Sequence, residues 1–170
     1  MEWHEKIEIA AWQLISQTEK GLRQLVLQVF LNTFGDNWKL GYLNRYDRLP
    51  DKKNRLHIIF ERLEHAYQRD MEQYGSLAMN LTLLDETYIH QLFDYFILFS
   101  WEDIFQPIFQ KEKNYWKKVK DNLELIRNPM AHQKMELLLE SEIKKAEEYC
   151  REISSIIERS ESAENFPTGI

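Results

Sequence analysis

Residues 123–132 read Leu-Glu-Leu-Ile-Arg-Asn-Pro-Met-Ala-His, and this stretch determines how the rest of the chain is interpreted. Apolar residues at helical spacing lead up to Arg127, where Asn128-Pro129 interrupts the pattern. Proline disfavours the α conformation in the residue before it, so we predict that one helix ends here. Asparagine is a good N-cap and proline is favoured at the first helical position, so a second helix is predicted to begin at Pro129, with His132 in its first turn.

The predicted break matters for chemistry because it would allow Arg127 and His132 to face the same point. In an unbroken helix, residues five apart point about 140° away from each other and differ by about 7.5 Å along the axis. A helix N-terminus also presents free N–H groups and the positive end of the helix dipole, which favour an anion such as phosphate. The sequence therefore predicts a phosphate site at this junction.

Composition indicates a folded, all-α protein. The chain has 170 residues, of which 44% are hydrophobic and 13% aromatic, and this is typical of one globular domain with a core. It contains only five glycines and four prolines, and most segments show helical apolar spacing. We predict a bundle of four to five helices forming a single domain over residues 1–159, followed by a flexible tail at 160–170.

The boundaries of the elements follow from caps and breaks. Gly35-Asp36-Asn37 is expected to stop the first helix, after which Trp38 and Tyr42 pack on the core. Residues 44–50 and 75–84 are predicted to be connectors, and Ser100–Asp103 resembles a capping box that opens a short helix ending near Pro107. The longer helices are predicted at residues 2–34, 52–73, 85–99 (capped by Asp85), 113–127 and 129–159.

Cysteine content and hydropathy suggest the compartment. The single cysteine, Cys150, excludes an intrachain disulfide and fits a reducing environment. The first residues do not resemble a signal peptide. The most apolar run, residues 92–105, is interrupted by acidic residues and is too short to span a bilayer. We therefore expect a cytoplasmic protein with no membrane association.

The net charge of −6 argues against a nucleic-acid partner, but the charges are unevenly distributed. Residues 111–134 contain seven basic and three acidic side chains, whereas residues 135–164 contain nine acidic and four basic ones. The basic segment could be no more than a solvated helix face. Charge therefore permits a phosphate ligand without requiring one.

The Arg127-Asn-Pro-Met-Ala-His132 sequence, placed between the last two predicted helices, resembles the Arg-x(4–6)-His signature of the HEPN superfamily (higher eukaryotes and prokaryotes nucleotide-binding). Two further stretches are similar to the branch found beside eukaryotic mRNA-surveillance endonucleases: Glu19–Arg23 followed by Phe34–Trp38, and Trp101–Phe105 followed by Trp116 and Ile126-Arg-Asn-Pro. The resemblance covers most of residues 15–155. The acidic net charge departs from the family pattern.

The resemblance implies a HEPN-like helical bundle that acts as a metal-independent endoribonuclease without a cofactor. Cleavage through the RNA 2′-hydroxyl needs proton transfer and positive charge at phosphorus. His132 would be the general acid or base, Arg127 would neutralise the phosphate, and Asn128 would cap the helix and orient the site.

The resemblance also implies a homodimer, because one chain supplies one such histidine and a two-fold dimer would supply both proton-transfer groups. Four lysines are expected to contact the RNA backbone: Lys117, Lys118, Lys120 and Lys134. The activity would serve as a toxin, with an antitoxin or other protein partner, in phage defence or in RNA turnover.

A non-catalytic reading stays open. An Asn-Pro helix start is common, an arginine near a helix C-terminus suits the helix dipole, and His132 could have no chemical role. HEPN-type domains also occur as inactive dimerisation or partner-binding modules.

Other candidate sites are weaker. His57, Glu61 and His65 share one face of a predicted helix, but the outer two lie about 12 Å apart, too far to bind one metal ion, so no metal site is predicted. Glu19 and Arg23 are interpreted as an i, i+4 ion pair that could also support the site from the first helix. No partner is assigned to His90.

Overall fold

The computed structural model describes residues 2–46, 53–78, 82–131 and 138–164, and every regular element in these ranges is helical. The all-α prediction is confirmed at this level. Seven α-helices are described, rather than four to five: α1 (Glu2–Phe34), α2 (Trp38–Tyr46), α3 (Lys53–Tyr74), α4 (Ile89–Gln91), α5 (Gln106–Phe109), α6 (Lys113–Ala131) and α7 (Glu140–Glu164). Two 3₁₀ turns, Gly75–Ala78 and Leu83–Glu86, and two π-helical segments, Leu92–Ile97 and Trp101–Phe105, lie between them.

The chain divides into two compact units. The first contains Met1–Leu22 and Ile89–Ile170, and the second contains Arg23–Tyr88. The single domain predicted over residues 1–159 stays a prediction. Helix α7 continues to Glu164, so residues 160–164, predicted to belong to a flexible tail, are helical, and residues 165–170 lie outside the described part of the chain. Within the described ranges, no helix has the length and apolarity needed to cross a membrane.

The core of the first unit is formed largely by α6, α7 and the aromatic segment between α4 and α6. Four apolar side chains at helical spacing on α6 are buried: Trp116, Val119, Leu123 and Ile126. Trp116 stacks on Phe93 at 6.2 Å and meets Phe109 edge-on at 5.1 Å. Each such large side chain contributes about 1.5–3 kcal/mol by its burial. These contacts fix the position of α6, which carries the candidate site.

Three predicted details of the aromatic segment are wrong. Asp85 does not cap a helix from 85 to 99; it accepts the backbone N–H of Thr82 at 2.6 Å within the turn Leu83–Glu86, and α4 begins only at Ile89. Ser100 does not form a capping box, because its hydroxyl donates to the Phe96 carbonyl at 2.6 Å. Pro107 does not end a helix, because it occupies the first turn of α5, where its missing N–H costs nothing.

The second unit is organised around α2 and α3. Gly35 ends α1 with φ +80°, as its stop signal predicted. Trp38 and Tyr42 are buried as expected, but they belong to a helix, α2, that the sequence did not predict. Gly41 is required here, since a Cβ at this position would lie 2.8 Å from the Cβ of Phe34. Helix α3 begins and ends within one residue of its predicted bounds. It buries four apolar side chains at helical spacing: Leu56, Ile59, Phe60 and Leu63.

Candidate functional site

The predicted helix break at Asn128-Pro129 is absent. Helix α6 runs from Lys113 to Ala131 with Pro129 inside it, and α7 begins at Glu140 rather than at Pro129. Asn128 is an exposed helical residue and does not act as an N-cap. His132, which was predicted to lie in the first turn of that second helix, is outside the described residues. Asn128-Pro129 therefore provides no helix N-terminus that could bind an anion.

The reason for the continuous helix lies in tertiary contacts. Pro129 removes only the hydrogen bond that its own N–H would make to the Leu125 carbonyl, and the helix ends two residues later. The conformational restriction on the residue before a proline is a preference rather than a prohibition. Leu123 and Ile126, both fully buried, hold the preceding turns against the core. Packing therefore decides the backbone conformation here.

Arg127 lies in the penultimate turn of α6 and pairs with a buried carboxylate from α1. Its Nε atom is 3.9 Å from Oε2 of Glu19, and the two side chains are only 14% and 7% exposed. Burying a carboxylate without a cation is costly, so the two charges depend on each other. Arg127, the residue predicted to contact phosphate, thus lies beside a buried carboxylate near the end of α6, at a distance longer than a hydrogen bond.

Two more residues on the same face of α6, Lys120 and Glu124, lie beside titratable side chains. The ammonium of Lys120 is 3.2 Å from Asp94 and 2.7 Å from Asp121, and Nε2 of His90 is 3.9 Å from Oε1 of Glu124. Residues 120, 124 and 127 are spaced at helical i, i+4 and i+7, so they follow one another along this face. Lys120, Glu124 and Arg127 therefore form a row of charged side chains, which we call the α6 charged row.

The predicted lysine contacts differ in their surroundings. Lys117 and Lys118 are exposed on α6. Lys120 is only 15% exposed, and although burial by itself lowers its pKa, the hydrogen bonds to Asp121 and Asp94 outweigh that effect and raise it. An ammonium shared by two carboxylates is poorly placed to bind RNA, so Lys117 and Lys118 are the better candidates. His132 and Lys134 lie outside the described residues.

Two contacts of the α6 charged row were not predicted from the sequence. No partner was assigned to His90, whereas Glu124 lies beside it. The i, i+4 pairing of Glu19 with Arg23 stays a prediction. The contact of Glu19 with Arg127 was not predicted, nor was the donation from Nε and Nη2 of Arg23 to the Thr87 carbonyl at 3.0 and 2.8 Å. The one available signal was that Glu19 is an acidic residue on the apolar face of α1, between Ile15 and Leu22.

Three other features of the structure are weaker candidates for a functional site. His57, Glu61 and His65 are all exposed on α3, and the described residues contain no group of three His, Cys, Asp or Glu side chains placed to bind a metal ion. Cys150 is buried, and burial raises its thiol pKa to about 11, which makes it a poor nucleophile. A cleft of about 620 Å³ in the second unit is lined by the start of α2, by α3 and by residues 82–83. The sequence did not predict this cleft.

No family model, no curated protein and no solved structure matches the chain.

Proposed function

We propose that this chain is a metal-independent endoribonuclease in which Arg127 binds the scissile phosphate and His132 transfers a proton. The observation that carries the proposal is the placement of Arg127, whose side chain is 14% exposed, whose Nε lies 3.9 Å from Oε2 of buried Glu19, and which stands five residues before His132 in the sequence. A planar guanidinium presents several N–H donors in a rigid arrangement that matches phosphate oxygens. An arginine fixed before substrate binds loses less entropy when it contacts the phosphate.

The proposed reaction uses the RNA's own 2′-hydroxyl. Its oxygen forms a bond to phosphorus as a base takes its proton, and the bond from phosphorus to the 5′-oxygen breaks as that oxygen receives a proton from an acid. The products are a 2′,3′-cyclic phosphate and a free 5′-hydroxyl. Arg127 stabilises the negative charge that develops on the phosphorane oxygens.

We further propose that the active form is a homodimer, so that two copies of His132 supply the acid and the base. Leu125 on α6 and Leu139 just before α7 are 57% and 63% exposed, and they lie on either side of residues 132–137 in the sequence. Exposed leucines of this size are the kind of side chain that a protein interface buries. Loss of the dimer in Leu125→Asp, with loss of cleavage, is the expected result of an ultracentrifugation and activity comparison.

The experiment that tests catalysis compares four variants on a single-stranded RNA. Arg127→Ala and His132→Ala are each expected to lower kcat by about 10²-fold or more, since each removes a group that acts in the transition state. Arg55→Ala and His65→Ala, which change the same residue types at exposed positions of α3, serve as matched controls and should cleave normally. Circular dichroism checks that helix content is retained. Unchanged cleavage by His132→Ala would remove the role proposed for that residue.

A second candidate function is a non-catalytic module that binds a protein partner. The exposed Leu125 and Leu139 favour it, because they fit a protein interface whether or not the site is active. This alternative predicts no RNA cleavage by the wild-type chain and no effect of Arg127→Ala or His132→Ala on partner binding. Growth arrest on overexpression that disappears with His132→Ala would favour the nuclease.

A further inference from the structure

Gln110 and Lys111 join α5 to α6 in a backbone conformation that side chains rarely adopt. Gln110 has φ 59° and ψ −170°, and Lys111 has φ 58°. Positive φ values of this kind are strained for residues other than glycine, and the region that Gln110 occupies is populated almost only by glycine. Two consecutive residues in such conformations persist only where the surrounding contacts hold them.

Other helix ends of this chain use glycine where φ is positive. Gly35 follows α1 with φ +80°, and Gly75 follows α3 with φ +56°. Among the described residues, Gln110 and Lys111 are the two with positive φ that are not glycine. Glycine at position 110 would adopt the same conformation without steric cost. The strain between α5 and α6 is therefore retained, and the contacts of this segment must outweigh it.

Two hydrogen bonds hold the inner side of the segment. The Gln110 N–H donates to the Gln106 carbonyl at 2.8 Å, and the indole N–H of Trp116 donates to the Gln110 carbonyl at 2.8 Å. Trp116 is fully buried, so loss of this acceptor would leave a buried donor without a partner, which is costly. The conformation of Gln110 is therefore linked to the core of the first unit.

A carboxylate from α7 holds the outer side. The Lys111 ammonium donates to Oε1 of Glu152 at 2.5 Å, and the Tyr115 hydroxyl donates to Oε2 of the same side chain. The ammonium also lies 4.1 Å from the centre of the Tyr115 ring, within cation–π range. Hydrogen bonding to Glu152 raises the pKa of Lys111, and burial together with that hydrogen bond raises the pKa of Tyr115, so both groups keep their protons and donate. We call Lys111, Tyr115 and Glu152 the clasp.

We infer that residues 110–112 form a strained strap at the start of α6, and that Glu152 of α7 is the group that keeps the strap closed. The side chains of Lys111 and Glu152 are 53% and 26% exposed, so solvent reaches the clasp and the strap can open without unfolding the core. Opening also loosens the first turn of α6, where the Tyr115 N–H donates to the Glu112 carbonyl at 3.0 Å. This inference is independent of the proposed nuclease function.

Backbone hydrogen exchange, followed residue by residue by NMR, tests the strap. The amides of residues 110 and 115 report its closure, because each donates a hydrogen bond within or beside the segment. Glu152→Ala is expected to raise the exchange rate of both amides by about 10-fold, since it removes two charge-assisted hydrogen bonds. Tyr115→Phe removes one of the two and should give a smaller increase. Glu147→Ala is the matched control and should leave both rates unchanged, because that glutamate also lies on α7, is 24% exposed and pairs with Arg151.

Rescue by glycine separates release of strain from a general loss of structure. Gln110→Gly relieves the strained backbone and is expected to slow exchange of the Tyr115 amide by about 3-fold or more. Combined with Glu152→Ala, it should return that rate close to the wild-type value, because an unstrained strap stays closed without the clasp. Asn114→Gly places glycine at an exposed helical position of α6, where glycine is unfavourable, and should not restore protection.

Three results would overturn the inference. Unchanged exchange in Glu152→Ala would remove the role of Glu152, and faster exchange in Gln110→Gly alone would remove the strain at Gln110. Failure of Gln110→Gly to restore protection beside Glu152→Ala would mark a general structural effect of Glu152. Circular dichroism checks the fold of each variant. If Glu152→Ala loses helix content, Glu152→Gln replaces it, because it keeps the shape and removes the charge, and the same pattern is expected with smaller changes.

Discussion

Glu86 ends the turn Leu83–Glu86 and forms a hydrogen bond with Asp70 of α3. Burial, this hydrogen bond and the charges of Asp70 and Asp85 together raise the pKa of Glu86 from 4.5 to about 7. A carboxyl group whose pKa is raised by folding binds its proton more tightly in the folded state. Its contribution to stability is therefore present below pH 4.5 and is lost as the pH rises to about 7.

Glu86→Gln should remove this pH dependence. The amide keeps the size of the protonated acid and cannot ionise, so the variant is expected to be more stable than the wild type at pH 8 and similar to it at pH 5. Urea unfolding at the two pH values measures the difference. Glu61→Gln, an exposed glutamate of α3, is the control and should change stability little at either pH. A wild-type protein more stable than Glu86→Gln at pH 8 would contradict the assigned pKa.

Individual residues also show which contacts can be predicted from local sequence spacing and which cannot. The burial of Trp116, Leu123 and Ile126 follows from spacing alone, because apolar residues three and four apart share a helix face. The Glu19–Arg127 contact does not follow from spacing, because it joins two helices distant in sequence. Charged partners across a core require the tertiary fold to be known.

At the scale of the elements, the C-terminal end of α6 is the most informative, because it carries Arg127 and contains Pro129 within the helix. Pro129→Ala restores an N–H that can donate to the Leu125 carbonyl and removes the steric cost of proline in a helix. Because Pro129 lies in the last turn, we expect a gain of about 1 kcal/mol in the free energy of unfolding, less than in a helix interior. Chemical denaturation followed by circular dichroism measures it.

Pro107→Ala is the matched control for this substitution. Pro107 lies in the first turn of α5, where proline is well tolerated, so its replacement should be neutral or slightly destabilising. If Pro129→Ala lowered the free energy of unfolding by as much as Pro107→Ala does, Pro129 would also lie at the start of a helix, where proline is favoured. That result would restore the helix break predicted from the sequence.

The elements that the sequence predicted well are the long ones with regular spacing. Helices α1 and α3 begin and end within about one residue of expectation, since many apolar positions and a clear stop define them. Helix α2 was missed because it has only nine residues, of which three are aromatic, and because it contains Gly41, a residue that disfavours helices. The π-helical segments were not predicted either, because their period is set by how Phe93, Phe96 and Phe105 pack rather than by local propensity.

At the scale of the whole molecule, the sequence predicted an all-α protein, and it pointed to Arg127 as a functional residue. The structure adds a buried partner for that arginine and places the candidate site beside the C-terminal end of α6 instead of the N-terminal end of α7. The positive charge of α6 that is available for binding is smaller than the sequence indicated, because the ammonium of Lys120 is neutralised by Asp94 and Asp121. Any RNA contact from this helix therefore depends on Lys117, Lys118 and Arg127.

The most direct test of the central claim is the chemistry of the RNA ends produced by the purified wild-type chain in excess EDTA. We predict cleavage that leaves 2′,3′-cyclic phosphate and 5′-hydroxyl ends. Mass spectrometry of the fragments of a defined oligoribonucleotide identifies these ends. A 2′-deoxy substitution at the cleaved position should block the reaction, since it removes the attacking oxygen. Intact RNA in EDTA, or fragments with 5′-phosphate ends that appear only when Mg²⁺ is added, would contradict it.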